Sequence, residues 1–113
     1  MVECKDFFDI NDEIKYDCIV MGEVLEHVEN PLAMLKKIYK ILENGGKAFI
    51  TTVINAPAID HIFLFSNKEQ VLRLAEEAGF HIDEYLCATA GNVSLEKAER
   101  KRFAIDIAMI LTK

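Results

Sequence analysis

The stretch from residue 16 to residue 54 constrains the fold more than any other part of the sequence. It opens with YDCIVM at 16–21, a short apolar run typical of a strand that is buried on both faces of a parallel sheet. Asn30 is a good helix N-cap, and the Gly-Gly pair at 45–46 ends the helical pattern that follows. The run KAFITTVI at 47–54 is rich in strand-forming residues. Strand, helix and strand at this distance predict a βαβ unit with parallel strands.

The second half of the chain continues the alternation of helix and strand. Ser66 and Glu69 have the spacing of a capping box, with Ser66 as the N-cap, and Gly79 closes the predicted helix. Residues 80–88 and 103–111 read as two strands, which we expect to pair antiparallel. The chain is therefore predicted to form an α/β sheet in which one strand is reversed.

Composition limits the class of protein. The 113 residues allow one domain, spanning 1–113, and the net charge of −6 comes without the basic stripe that nucleic-acid binding needs. Cys4, Cys18 and Cys87 show no CxxC spacing, which favours free thiols in a reducing compartment. No apolar run reaches the roughly 18 residues of a membrane span, and no signal-peptide pattern is present. We expect a cytoplasmic protein that binds neither membranes nor nucleic acid.

Residues with useful chemistry follow the predicted strands, at the edge where open α/β sheets bind ligands. Glu23, Glu26 and His27 form an ExxEH cluster directly after the first strong strand. In a helical turn these positions converge on one face, where they could hold Mg²⁺ or, with the imidazole, Zn²⁺. His61, after the next strand, is a possible fourth ligand. Alternatively, the glutamates cap the following turn and His27 lines a substrate pocket.

The run from Tyr16 to Thr52 resembles the central stretch of class I S-adenosylmethionine-dependent methyltransferases, above all the ubiquinone-biosynthesis O-methyltransferase type. In that family a Tyr/Phe-Asp pair opens the fourth strand and EVLEHV follows it, as at residues 16–28 here. The resemblance continues to the AGF motif at 78–80. It implies the C-terminal half of a Rossmann-like sheet that lacks its first two strands, mostly parallel with one antiparallel strand.

The resemblance also implies site residues. Asp6 would accept a hydrogen bond from the adenine amino group of S-adenosylmethionine and Phe7 would pack on the ring, while Met21 and Gly22 would line the cofactor. His27 and Glu26 would be catalytic, and the ExxEH cluster with His61 would match the divalent-cation site of the family. The family's GxGxG turn has no counterpart, since no two of the five glycines are spaced as GxG.

Three functions are compatible with this pattern. We expect methyl transfer from S-adenosylmethionine to a small-molecule acceptor, through a hydroxyl, when another chain completes the site. The alternatives are a non-catalytic binding or regulatory subunit and a truncated domain without activity. Loss of the preceding strands would leave strand 16–21 as an exposed edge, so we expect a homodimer or a complex with a chain that supplies the glycine-rich loop.

Overall fold

The structure, a computed structural model, describes residues 11–55, 65–89 and 93–113. The predicted site residues Asp6, Phe7 and His61 lie outside the described residues. The elements in chain order are β1 (Tyr16–Gly22), a 3₁₀ turn (Leu25–His27), α1 (Pro31–Ile41), β2 (Leu42–Ile54), α2 (Lys68–Glu77), β3 (His81–Thr89), α3 (Leu95–Lys101) and β4 (Ile105–Thr112). Within these ranges, no helix has the length and apolar character of a membrane span.

The described strands form one sheet in the order β1-β2-β4-β3. The predicted βαβ unit is confirmed, because β1 and β2 are parallel neighbours joined through α1. The predicted antiparallel pairing of the last two strands is also confirmed. The expectation of a mostly parallel sheet is wrong. The reversed strand β4 lies between β2 and β3, so this single strand makes two of the three pairs antiparallel.

The hydrophobic core lies on one side of this sheet. Along β2 and β4 alternate side chains point to this side, as the two-residue period of a strand requires. Helix α1 begins at the predicted cap, where the Asn30 side chain accepts a hydrogen bond from the Ala33 amide at 3.0 Å. The fully buried residues on this side include Leu35 and Ile38 of α1, Ala48, Ile50 and Ile54 of β2, and Ile105, Met109 and Leu111 of β4.

The helix α2 begins one residue later than predicted. Asn67, and not Ser66, is the N-cap, and its side-chain oxygen accepts a hydrogen bond from the Gln70 amide at 2.8 Å. Gln70 reaches back and accepts from the Ser66 amide at 2.8 Å, so the reciprocal pattern of a capping box is present but shifted. Gly79 follows the helix with φ of 110°, and a Cβ there would lie 3.0 Å from the Tyr39 ring. Glycine is therefore required at this position.

The shifted cap gives a test by stability. Asn67→Ala removes the side chain that satisfies the Gln70 amide and should lower the free energy of unfolding by about 1 kcal/mol. Ser66→Ala is the matched control, since Ser66 takes part in this cap through its backbone amide. Urea denaturation of the two variants checks the assignment, and an equal or larger loss in Ser66→Ala would contradict it.

Candidate functional site

The candidate site lies at the carboxyl ends of the parallel strands β1 and β2. Gly22, the last residue of β1, is in register with Thr51 of β2. The reversed strand β4 begins at the same edge, where Asp106 is in register with Val53. Residues from three strands therefore meet at the edge where open α/β sheets bind ligands.

Two residues at this edge adopt a backbone conformation that non-glycine residues seldom adopt. Glu23 and Asn55, which follow β1 and β2 directly, both have φ of 55°. The Glu23 amide donates to the Thr51 carbonyl at 3.0 Å and lies 3.2 Å from the Thr51 hydroxyl oxygen. The Asn55 amide donates to the Phe65 carbonyl at 2.9 Å. Local strain of this kind concentrates at functional sites, and here the neighbouring strand ends hold it in place.

Glu26 is a carboxylate buried at the base of the site. It lies in the 3₁₀ turn and only 2% of its surface is exposed. The fully buried Thr52 of β2 donates its hydroxyl to Glu26 Oε1 at 3.0 Å. A buried carboxylate is costly unless it is hydrogen-bonded, so Thr52 stabilises Glu26 in this position.

The carboxyl groups of Glu23 and Glu26 lie close enough to interact. Partial removal from water raises the pKa of Glu23 to about 7, with further contributions from the hydrogen bond to Glu26 and from the negative charges of Glu26 and Asp106. The hydrogen bond from Thr51 acts in the opposite direction. Near neutral pH the Glu23 carboxyl is therefore partly protonated.

The structure places the predicted site residues in different settings. Met21 is buried in the core, and Gly22 next to it is exposed. His27 is half-buried at the end of the 3₁₀ turn, where its amide donates to the Val24 carbonyl at 2.9 Å. Glu23 precedes this turn in a left-handed conformation, so the cluster is not one face of a helical turn.

A metal site is not assembled in the described part of the chain. Within it, no group of three or more His, Cys, Asp or Glu side chains is placed to hold an ion. Because His61 lies outside the described residues, a divalent cation at Glu23, Glu26, His27 and His61 stays a prediction.

Sequence reasoning missed Thr51 and Thr52. Both belong to the apolar strand pattern of 47–54, and nothing local marks them as site residues. A predicted register between β1 and β2 would have indicated both threonines, because pairing Gly22 with Thr51 brings Thr52 close to the turn that follows β1.

The support that Thr52 gives to Glu26 can be measured in a double-mutant cycle. Thr52→Val keeps the shape but removes the donor, and should lower the free energy of unfolding by about 1–3 kcal/mol. In a Glu26→Leu background the same change should cost much less, because no carboxylate is left without its donor. Equal costs in the two backgrounds, measured by urea denaturation, would contradict this account.

The raised pKa of Glu23 predicts a pH dependence of stability. The folded protein favours the protonated form, so the stabilisation is complete below the ordinary value of 4.5 and is lost as the pH rises through about 7. Glu23→Gln should therefore lose less stability than the wild type between pH 4.5 and pH 8. Because the side chain is exposed, solvent screening limits the size of the effect.

The exposed Glu29 of the same connection provides the matched control for this measurement. Glu29→Gln should keep the wild-type change in urea midpoint across this pH range. If Glu23→Gln also shows the wild-type change in urea midpoint, the pKa of Glu23 is not raised in the folded protein.

Known proteins share the sequence pattern and the fold of this chain. A family model described as a methyltransferase domain matches residues 5–85. The mitochondrial ubiquinone biosynthesis O-methyltransferase of Dictyostelium discoideum is 29% identical over 82 residues, which cover 73% of this chain and 25% of that protein. The chain thus spans about a quarter of the length of this relative.

Solved structures share the fold at low identity. The [4+2]-cyclase SpnF superposes with a TM-score of 0.75 at 13% identity, covering 98% of this chain and 56% of that one. The N-methyltransferase NodS from Bradyrhizobium japonicum, solved with S-adenosyl-L-homocysteine, gives a TM-score of 0.70 at 17% identity, covering 96% of this chain and 52% of that one. The family model covers well over half of the chain, and the chain therefore belongs to the methyltransferase domain family.

Proposed function

We propose that this chain is the acceptor-side part of an S-adenosylmethionine-dependent methyltransferase. Completed by a segment that carries the glycine-rich loop, it transfers a methyl group to a small-molecule acceptor, through a hydroxyl. The observation that carries this proposal is the Glu23–Glu26 carboxyl pair, which follows β1 at the ligand-binding edge of the sheet. Support comes from the family match and from a relative named as an O-methyltransferase.

The described residues fit the cofactor. Gly22 is exposed, and a Cβ built there meets only the Thr51 hydroxyl oxygen within 4 Å, at 3.6 Å, so its surface is free of side-chain bulk. The carboxyl groups of Glu23 and Glu26 suit a ligand that carries cationic sulfonium and ammonium groups. When bound, S-adenosylmethionine supplies a methyl group on a positively charged sulfur.

The residues of this chain would then position the acceptor and handle its proton. Thr52 holds Glu26 in one orientation, and the Glu23 carboxyl lies beside that of Glu26. His27 lies on the same turn, and an imidazole is the side chain most often used as general base. We assign His27 as the general base that accepts the proton of the acceptor hydroxyl, with Glu26 as the alternative base.

A non-catalytic role is the second candidate. The chain carries no GxG spacing and spans a quarter of its relative, so this sequence by itself holds no glycine-rich loop for the cofactor. A binding or regulatory subunit, or a truncated domain without activity, would have the same fold. The two candidates differ in whether completion of the domain restores cofactor binding.

Calorimetric titration with S-adenosylhomocysteine separates them. The titration is made on this chain alone and on a chimera that joins it to the segment preceding the matched region in the Dictyostelium relative. Saturable binding by the chimera, at least tenfold weaker in Gly22→Leu, would support the proposal, because leucine fills the space over Gly22. Ala104→Leu, which adds similar bulk to an exposed loop, is the control. A folded chimera that does not bind would overturn the proposal in favour of the non-catalytic role.

A further inference from the structure

Helix α3 and the residue that ends it carry a cluster of cations. Four of the 13 Lys and Arg residues of the chain lie within residues 97–102, although the net charge of the chain is −6. We call them the α3 cluster and define it by four exposed residues, Lys97, Arg100, Lys101 and Arg102. In the part of the chain that the structure describes, none of these side chains lies within ion-pair distance of a carboxylate. The cluster is therefore a positive surface on an acidic protein.

The packing of α3 fixes the direction in which the cluster points. Ala98 is fully buried, and the Glu99 carboxylate lies 2.9 Å from Lys68 Nζ of α2. Positions i, i+3 and i+4 of a helix lie on one face, and the first three members of the cluster have this spacing. They therefore converge on the side of α3 that faces away from the core. Three cations on one face can contact a single multiply charged anion.

The α3 cluster lies at the same edge of the sheet as the candidate site. Helix α3 precedes β4, whose first residue, Ile105, is in register with Ile54 at the end of β2. Arg102 precedes Asp106 by four residues, which span at most about 14 Å of extended chain. Asp106 lies close enough to Glu23 for its negative charge to raise the pKa of that carboxyl group. One elongated small molecule can therefore reach from the cluster to the carboxyl pair.

Arg102 adopts a backbone conformation that favours glycine. It ends α3 with φ of 58°, and its amide donates to the Ala98 carbonyl. Glycine is the usual residue at a helix end in this conformation, because a side chain adds strain. Among the described residues, the non-glycine residues with positive φ are Glu23, Asn55 and Arg102, and all three lie at this edge. An arginine at a position that favours glycine indicates a functional use of its charge.

The two ends of this edge differ in charge. The carboxyl groups of Glu23 and Glu26 lie at the end of β1 and suit the cationic cofactor, whereas the α3 cluster suits an anion. A phosphate group carries about 1.5 to 2 negative charges at neutral pH and has three oxygens that accept hydrogen bonds. It therefore matches several cations better than a carboxylate with a single charge does. Arginine can also bind a phosphate through two parallel N–H groups.

We propose that the α3 cluster binds the phosphate group of the acceptor, so that the acceptor is a phosphate-bearing small molecule. The phosphate lies at α3, and the hydroxyl that receives the methyl group lies at the carboxyl pair. This inference rests on the proposed function, since it names the class of acceptor. Its test needs no cofactor, and the titration with S-adenosylhomocysteine detects a failure of the proposed function separately.

The test measures binding of two elongated phenols to the full chain by titration of backbone amide chemical shifts. The first probe, hydroxybiphenyl phosphonate, carries a non-hydrolysable analogue of phosphate at the end opposite its hydroxyl. The second probe, dihydroxybiphenyl, is neutral. We expect saturable binding of the phosphonate, about tenfold tighter than that of the neutral probe, because only the phosphonate pairs with the cluster. The shifts should appear at the amides of α3 and of Glu23, at the two ends of the bound probe.

Two double variants separate specific binding from general attraction between opposite charges. Arg100→Gln combined with Lys101→Gln should weaken binding of the phosphonate about tenfold, because two of its charged partners are lost. Lys36→Gln combined with Arg73→Gln removes the same charge from exposed positions of α1 and α2 and should keep the wild-type affinity. All four positions are exposed, so circular dichroism should show the wild-type fold.

A single variant tests the strained position. Arg102→Gly should unfold at a higher urea concentration than the wild type, because glycine adopts φ of 58° without strain. The same variant should bind the phosphonate several-fold more weakly, since it lacks one cation of the cluster. An arginine with a purely structural role would change the urea midpoint and leave the affinity unchanged.

Three outcomes would overturn the proposal. Equal affinities for the phosphonate and for inorganic phosphate would show an anion site that does not recognise an acceptor. Equal weakening by the two double variants would show attraction by net charge alone. Tighter binding of a short RNA oligonucleotide than of the phosphonate, at the same salt concentration, would assign the cluster to nucleic acid.

Discussion

The parallel register between β1 and β2 determines the rest of this structure. Helix α1 connects the two strands and buries its apolar side chains on one face of the sheet, so the core forms there. The register also pairs Gly22 with Thr51, and the carboxyl ends of the two strands consequently meet at one edge. A shift of one residue would turn Thr52 away from the core face and leave the buried Glu26 without its donor.

Unequal covering of the two faces is the second consequence of this arrangement. The described helices pack on one face of the sheet, where residues such as Ile50 and Met109 are fully buried, and Val20 and Leu86 are exposed on the opposite face. Within the described residues β1 also pairs on one side only, with β2.

The chemistry of the site results from placing two carboxyl groups together in a partly buried position. The pKa of Glu23 is raised because water is partly excluded from its carboxyl group and because its neighbours Glu26 and Asp106 are negative. The hydroxyl of Thr52 fixes one member of the pair, and the amide of Glu23 is fixed by Thr51. These contacts fix the polar groups of the site before any ligand arrives.

The sequence by itself determined the local elements. Caps and apolar periods predicted β1, the start of α1 and the antiparallel pair, because these signals depend on neighbours along the chain. The predicted end of α1 at Gly45-Gly46 was wrong, since the helix ends at Ile41 and both glycines lie in β2. The methyltransferase resemblance of EVLEHV was confirmed by the family match. The cap of α2 was missed by one residue, since Ser66 and Asn67 are both good caps. Only the tertiary structure paired Thr52 with Glu26 and left one face of the sheet exposed. These features join residues distant in sequence, and strand order and register, which packing of the whole sheet decides, bring them together.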